Sequence, residues 1–180
     1  RNDIRHIISL LLLLMIVGTG QVMAQGNASA LIINNASGKF TENGITGAGT
    51  AANPYVITTK EGLAYFSSVV YNAWTGRQGK YWRLDADIDM EGRLWNLGSR
   101  TEGTTYAFQG TFDGNGHTIS NMRIEVGAYM AYGFIPNLGY GSNSNKGVLK
   151  NLTLDNVVMT QTQDANAGWY RVGIAVADHQ

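Results

Sequence analysis

The stretch Phe108 to Val126, FQGTFDGNGHTISNMRIEV, decides how this chain is read. Within it, Ile119-Ser-Asn121-Met-Arg-Ile124 has the form apolar, any, Asn, apolar, any, apolar. Leu149-Lys-Asn151-Leu-Thr-Leu154 repeats that form thirty residues later. A fixed period of this size points to stacked repeats, each unable to bury its apolar face alone. The parity of the pattern carries more. Ile119 and Asn121 share one parity, whereas Met122, Ile124 and Val126 share the other, so the inward face switches across Asn121. A flat strand would send its apolar set to solvent on such a slip. A corner between two short strands accommodates it, and Leu149, Asn151, Leu152 and Leu154 show the same switch. Two Asn-marked corners thirty residues apart fit successive coils of a parallel β-helix, with Asn121 and Asn151 stacked and satisfying the backbone at the bend. A β-sandwich with a chance repeat is the alternative.

Around this centre the period changes twice. From Tyr81 onward, Trp82, Leu84, Ala86, Ile88 and Met90 point one way, and Arg83, Asp85, Asp87, Asp89 and Glu91 point the other, as in a half-buried strand with an acidic outer face. Earlier, Leu63, Phe66, Val70 and Ala73 recur at helical spacing. Thr58 and Glu61 form a capping box at the start of that run, and Gly76 follows where helices often stop. The expected helix covers about residues 59–74 and closes one end of the strand stack. Asn53-Pro-Tyr-Val-Ile57 gives a short strand just after a proline. Glycine, at 23 of 180 residues, is nearly twice its average share of about 7%, as expected for many tight turns between short strands.

The first residues read differently. Arg1 and Arg5 precede an apolar run from Ile7 to Val17, broken only by Ser9, and Val22-Met-Ala24 supplies small residues at the spacing of a cut. This is the pattern of a secretory signal peptide over residues 1–24, with Gln25 first in the mature chain. The run is too short to span a membrane, which takes roughly twenty residues. Residues 25–48 read as a polar, glycine-rich lead-in with one apolar patch, Leu31-Ile-Ile33, and residues 49–180 as the β-helix domain. With no Met at its start and no closing element after Ala177-Asp-His-Gln, the chain reads as truncated at its C-terminus and part of a longer polypeptide. Residues 1–24 hold Arg1, Arg5 and Asp3, so removing them from thirteen basic and thirteen acidic residues leaves a net charge of −1. That balance gives no electrostatic case for nucleic acid or an anionic membrane. Cysteine is absent, which excludes disulfides and thiolate metal sites.

Several of these motifs together resemble bacterial surface proteins that carry GLUG-type repeats. They are Gly49-Thr-Ala-Ala-Asn-Pro-Tyr-Val-Ile57, the Thr-capped helix, Lys80-Tyr-Trp-Arg-Leu-Asp-Ala-Asp-Ile-Asp89 and Trp95-Asn-Leu-Gly98. Phe108 to Ile119, Gly133-Phe-Ile135 and Lys150 to Leu154 follow in the same order, so the resemblance covers about residues 47–177. Near Val172-Gly-Ile-Ala-Val176, where the glycine-rich repeat proper would begin, this chain departs from the usual second glycine. The resemblance implies a right-handed parallel β-helix of the pectate-lyase-like kind in a secreted or surface-attached, adhesin-like protein. Such repeats also accompany a peptidase domain in immunoglobulin-cleaving surface proteases. A fold so widely used does not assign a function.

Candidates for chemistry are few. Asp85, Asp87 and Asp89 could form a calcium site or a carboxylate set for cleaving acidic polysaccharides. Against an EF-hand, Met90 stands where the sixth position needs Gly and Asn96 where the twelfth needs Glu. Alternate carboxylates on one strand lie about 7 Å apart, so a neighbouring coil would have to help, and the simpler reading is a solvated acidic face. Asp113-Gly-Asn-Gly116 reads as a turn, with Gly114 and Gly116 serving its backbone. His117 has no partner histidine in the mature chain except His179, so no zinc cluster is expected. Tyr129, Tyr132, Tyr140, Trp169 and Tyr170 lie near glycine-rich turns and could stack on sugar rings, or pack the core instead. The expected function is a secreted or cell-surface module without catalytic residues or cofactors, binding a glycan or a host or surface protein. A polysaccharide lyase or hydrolase on the same scaffold, and an accessory domain of a surface protease, are the alternatives.

Overall fold

The computed structural model describes residues 44–72, 78–95, 98–100, 107–127, 130–139, 146–161 and 171–179. The expected signal peptide and all but the last residues of the lead-in lie outside them. The described chain is mostly β-strand with one helix, and almost every strand pair is parallel.

The strands fall into layers. β1 (Tyr55–Ile57) lies lowest. The first full layer contains β2 (Gln78–Leu84), β3 (Ile88–Asp89) and a bridge at Leu94, with β4 (Gly98–Arg100) at its margin. The second holds β5 (Gln109–Asp113), β6 (Thr118–Ser120), β7 (Arg123–Val126), β8 (Met130–Tyr132) and β9 (Ile135–Leu138). The third holds β10 (Val148–Lys150), β11 (Thr153–Asp155), β12 (Val158–Gln161), β13 (Arg171–Val172) and β14 (Val176–His179). Each third-layer strand pairs in parallel with the second-layer strand five positions earlier in this order. One sheet runs through all layers in the order β1-β2-β5-β10. Only β4 breaks the rule among the named strands, running antiparallel to β8.

Register stacks like on like. Tyr55, Trp82, Phe112 and Leu149 lie one above another, as do Ile88, Ile119 and Leu154. Burial follows the alternation read from the sequence: Trp82, Leu84, Ile88 and Met90 are buried while Asp85, Asp87, Asp89 and Glu91 are exposed. Burial of this apolar stack is the main stabilising term, at about 25 cal/mol for each Å² of apolar surface removed from water.

Helix α1 (Lys60–Asn72) belongs to the interior. Leu63, Tyr65 and Phe66 are buried, and the Phe66 ring lies 5.0 Å from Trp82, 4.9 Å from Phe112 and 5.7 Å from Phe108 between centroids. The helix starts one residue later than the capping box requires. Thr59, not Thr58, is the cap: its Oγ1 accepts from the Gly62 amide at 3.0 Å. The reason lies in the strand before it. Asp85 donates its amide to the Ile57 carbonyl, holding the chain extended to Ile57, and the turn into the helix begins only after Thr58. Glu61 is then exposed in the first turn, where its charge suits the helix dipole. Residues 73–77, with Ala73 and Gly76, lie outside the described residues. Ile45, placed above in the lead-in, is buried in the core, and Thr46 bridges Val56 in antiparallel sense.

The corners are where sequence and structure differ most usefully. Asn121 and Asn151 do sit at bends, with φ of 55° and 53°, and the inward face switches across both. They are different bends, however. Asn121 joins β6 to β7, whereas Asn151 joins β10 to β11 and lies above the Gly114 turn, its carbonyl accepting from the Gly116 amide. The residue stacked on Asn121 is Asn156, at φ 47°, in Leu154-Asp-Asn156-Val-Val-Met159. That segment is a third copy of the same pattern, five residues after the second. The motif occupies two successive corners of the third layer, and the partner stacked on Asn121 is 35 residues on, so the thirty-residue spacing of the motif is not the spacing of stacked corners.

Candidate functional site

The acidic row expected on one strand is split: Asp85 and Asp87 lie in the bend between β2 and β3, Asp89 ends β3, and Glu91 follows in a turn. Together they form a set of ties between layers. Arg83 donates to both oxygens of Asp85, at 2.7 and 2.8 Å, and the Asn115 carboxamide of the second layer donates to Asp85 at 3.2 Å. Asp87 accepts from the Thr118 amide at 2.9 Å and lies 3.0 Å from His117 Nδ1. Asp89 accepts from the Asn121 side chain at 2.8 Å and from the Glu91 amide at 2.7 Å. One level higher, Asn121 accepts from Asn156 at 2.7 Å, and Asp113 accepts from Asn151 at 3.0 Å and pairs with Lys150 at 3.0 Å. Glu91 ties the first layer to α1 through Lys60, at 2.6 Å, and also meets Arg93.

This chemistry follows from local backbone. Asn is one of the few non-glycine residues that tolerate the left-handed conformation, and at a corner its short carboxamide projects along the stack. Asn115 shares this conformation at φ 53°. Gly114 is needed for another reason than the turn conformation expected of it: the Asn151–Leu152 backbone passes directly over it, where a Cβ would collide. Gly116 does hold a positive φ, at 82°.

The electrostatics match the geometry. The Arg83 guanidinium, helped by Asn115, holds the Asp85 carboxyl below its ordinary range. The Thr118 amide and then His117 do the same for Asp87, Asn121 and then the Glu91 amide for Asp89, and Lys60 and then Arg93 for Glu91. At Asp113 burial pushes upward, but the Asn115 amide, Lys150 and Asn151 together outweigh it. All five are depressed because each carboxylate accepts hydrogen bonds as an anion.

The expected calcium or catalytic trio therefore does not converge. Asp85, Asp87 and Asp89 each face a separate donor, whereas calcium takes about six to eight oxygens around one point. Among the described residues, no three His, Cys, Asp or Glu side chains are gathered where a metal ion could be held. Of the aromatic candidates, Tyr132 is half-buried and packs against the core. Tyr129, Tyr140, Trp169 and Tyr170 lie outside the described residues. Sequence reading missed Asn156 and the role of Asn115, although Asn156 carries the very pattern used to find Asn121. Trp95, named there only as part of a motif, is a core anchor: it stacks on Phe134 at 5.2 Å and donates its indole N–H to the Phe134 carbonyl at 3.0 Å.

No family model matches the chain, and no solved structure does. Among curated proteins it is similar to Halomucin of Haloquadratum walsbyi (strain DSM 16790 / HBSQ001), 34% identical over 161 residues. The match takes in 81% of this chain and 2% of Halomucin, so the chain spans a small fraction of the relative's length. The likeness is compatible with a cell-surface or secreted module. Among the described residues no helix is long and apolar enough to cross a membrane.

Proposed function

We propose that this chain is a scaffold module of a secreted or cell-surface protein, a right-handed parallel β-helix of the GLUG-type class, that displays its corners and loops to a glycan or to another surface protein. The observation that carries this reading is the use of the polar face. Its conspicuous carboxylates and amides, from Asp85 to Asn156, are spent joining one layer to the next. Side chains committed in this way hold register; they do not converge on a substrate, as a catalytic set must. The parallel pairing of successive layers supports the β-helix, since parallel crossovers within a sheet are right-handed in nearly all proteins. The likeness to Halomucin supports placement at the cell surface.

The test is binding by the whole chain. A glycan array and a pull-down from surface extracts are expected to yield a saturable ligand, retained when Asp85, Asp87 and Asp89 are each changed to Asn. Blank results in both assays would count against display of a binding surface. Calcium-dependent cleavage of an acidic polysaccharide, lost in the same three variants, would replace the scaffold reading with an enzymatic one.

A further inference from the structure

The turn Asp113-Gly-Asn-Gly116, between β5 and β6, holds two left-handed residues in succession, Asn115 at φ 53° and Gly116 at φ 82°. Asparagine and glycine are the residues that adopt this conformation at least cost. A Cβ at Gly116 would meet nothing within 4 Å, so conformation, not crowding, calls for glycine there. The same pair is chemically labile. An asparagine carboxamide carbon lies one ring closure away from the next backbone nitrogen, and a glycine nitrogen has no adjacent side chain to shield it. Among the described residues Asn115 is the one asparagine followed by glycine, whereas Met122, Leu152 and Val157 follow Asn121, Asn151 and Asn156. Asn115 and Gly116 are both exposed, so base and water reach them.

The two reacting groups are held by opposite layers. The Asn115 carboxamide donates downward to Asp85 at 3.2 Å, whereas the Gly116 N–H donates upward to the Asn151 carbonyl at 2.9 Å. The nucleophile in ring closure is the amide nitrogen after loss of its proton, and a carbonyl oxygen facing that N–H opposes the loss. Neighbouring bonds reinforce the hold. Gly114 donates its amide to the Lys150 carbonyl at 2.8 Å, and Asp113 accepts from the Asn115 amide at 2.9 Å and the Asn151 side chain at 3.0 Å. Asp113 also precedes a glycine, but its carboxylate, an anion accepting those two donors, resists attack by an amide nitrogen.

We infer that Asn115 is a site of spontaneous deamidation, and that the bend at Asn151 gates the reaction by holding the Gly116 amide. Local opening lifts that bend without unfolding the stack. The Gly116 nitrogen then loses its proton to solvent base and attacks Asn115 Cγ. A C–N bond forms, the Cγ–Nδ2 bond breaks, and Nδ2 takes up a proton and leaves as ammonia, which yields a five-membered imide. Water adds to one of the two imide carbonyls and opens the ring. The product at position 115 is aspartate or, where the main chain is rerouted through Cγ, isoaspartate. Either product sets a carboxylate against Asp85 in place of a donor, so a tie between the first and second layers becomes a like-charge contact. The isoaspartate also lengthens the main chain of the turn by one carbon.

The whole chain is incubated in mildly alkaline buffer, folded and in urea, and Asn, Asp and isoAsp at position 115 are followed by peptide mass spectrometry. Asn43-Gly44, the other Asn-Gly pair of the sequence, serves as the reference in urea. There Asn115 and Asn43 should convert at similar rates. In the folded chain Asn115 should slow by the factor that protects the Gly116 amide from hydrogen exchange. Asn151→Ala, which strains the gating bend, should speed conversion of Asn115 roughly tenfold, equal to about 1.4 kcal/mol. Asn121→Ala carries the same backbone cost at the following bend and should leave the rate unchanged. An Asn115 that does not convert in urea would overturn the site. Equal rates in folded and unfolded chain, or equal acceleration by both variants, would overturn the gate. Should Asn151→Ala fail to fold, the unaltered chain still decides: a Gly116 amide that exchanges freely while Asn115 persists rules the gate out. None of these readings depends on finding a glycan or protein ligand.

Discussion

At the scale of single residues, the bends turn on asparagine. Asn121, Asn151 and Asn156 combine a left-handed backbone with a carboxamide that reaches the layer below. These two contributions separate experimentally. Asn121→Gly keeps the backbone conformation and loses the ladder; Asn121→Ala loses the ladder and adds a backbone cost of roughly 1–2 kcal/mol. Urea unfolding should rank Asn121→Ala below Asn121→Gly by about that margin, and equal stabilities would show that the conformation is not strained. The carboxylates make a second prediction. Asp85, Asp87, Asp89, Glu91 and Asp113 are all held below their ordinary values of 3.8 for Asp and 4.5 for Glu. The unfolded chain therefore takes up protons before the folded one does, so the stability they contribute is fully present above those values. It is lost as pH falls below them. Urea midpoints should stay level from neutral pH to about pH 5 and drop below pH 4; a flat profile to pH 3 would remove the ties from the energetics. Exposed ion pairs of this kind are worth little singly, so their main effect is on register.

At the scale of elements, α1 is both an edge cover and part of the core. Phe66 meets aromatic rings of the first two layers, so Phe66→Ala should cost about 3–5 kcal/mol, read as a fall in the denaturant midpoint. Thr59→Ala should cost about 1 kcal/mol and Thr58→Ala close to nothing. The reverse order would restore the Thr58–Glu61 box. The helix itself was legible from the spacing of Leu63 and Phe66, because helical periodicity is a property of one segment. Its first residue was not, because the tie between Asp85 and the Ile57 carbonyl comes from a strand more than twenty residues away.

For the whole molecule, stability should be graded along the stack. Among the described residues the second layer is covered on both sides and the third on one, so in this chain amides of β10–β12 should exchange faster than those of β5–β7. Uniform protection across both layers would mean that the stack opens only as a unit. Legible in the sequence were the alternation of inward and outward faces, the helix and the Asn-marked bends, since each follows from residues a few positions apart; the strand read from Tyr81 onward is two, β2 and β3. Which bend lies on which was set by packing between layers. Asn121 is thirty residues from its look-alike Asn151 but rests under Asn156, because the third layer carries the motif at two successive corners and register is set by what packs inside. Depth was likewise out of reach of the sequence. The acidic row of Asp85, Asp87 and Asp89 reads as a site in one dimension and becomes a set of ties in three, since the donors that occupy it arrive from the next layer.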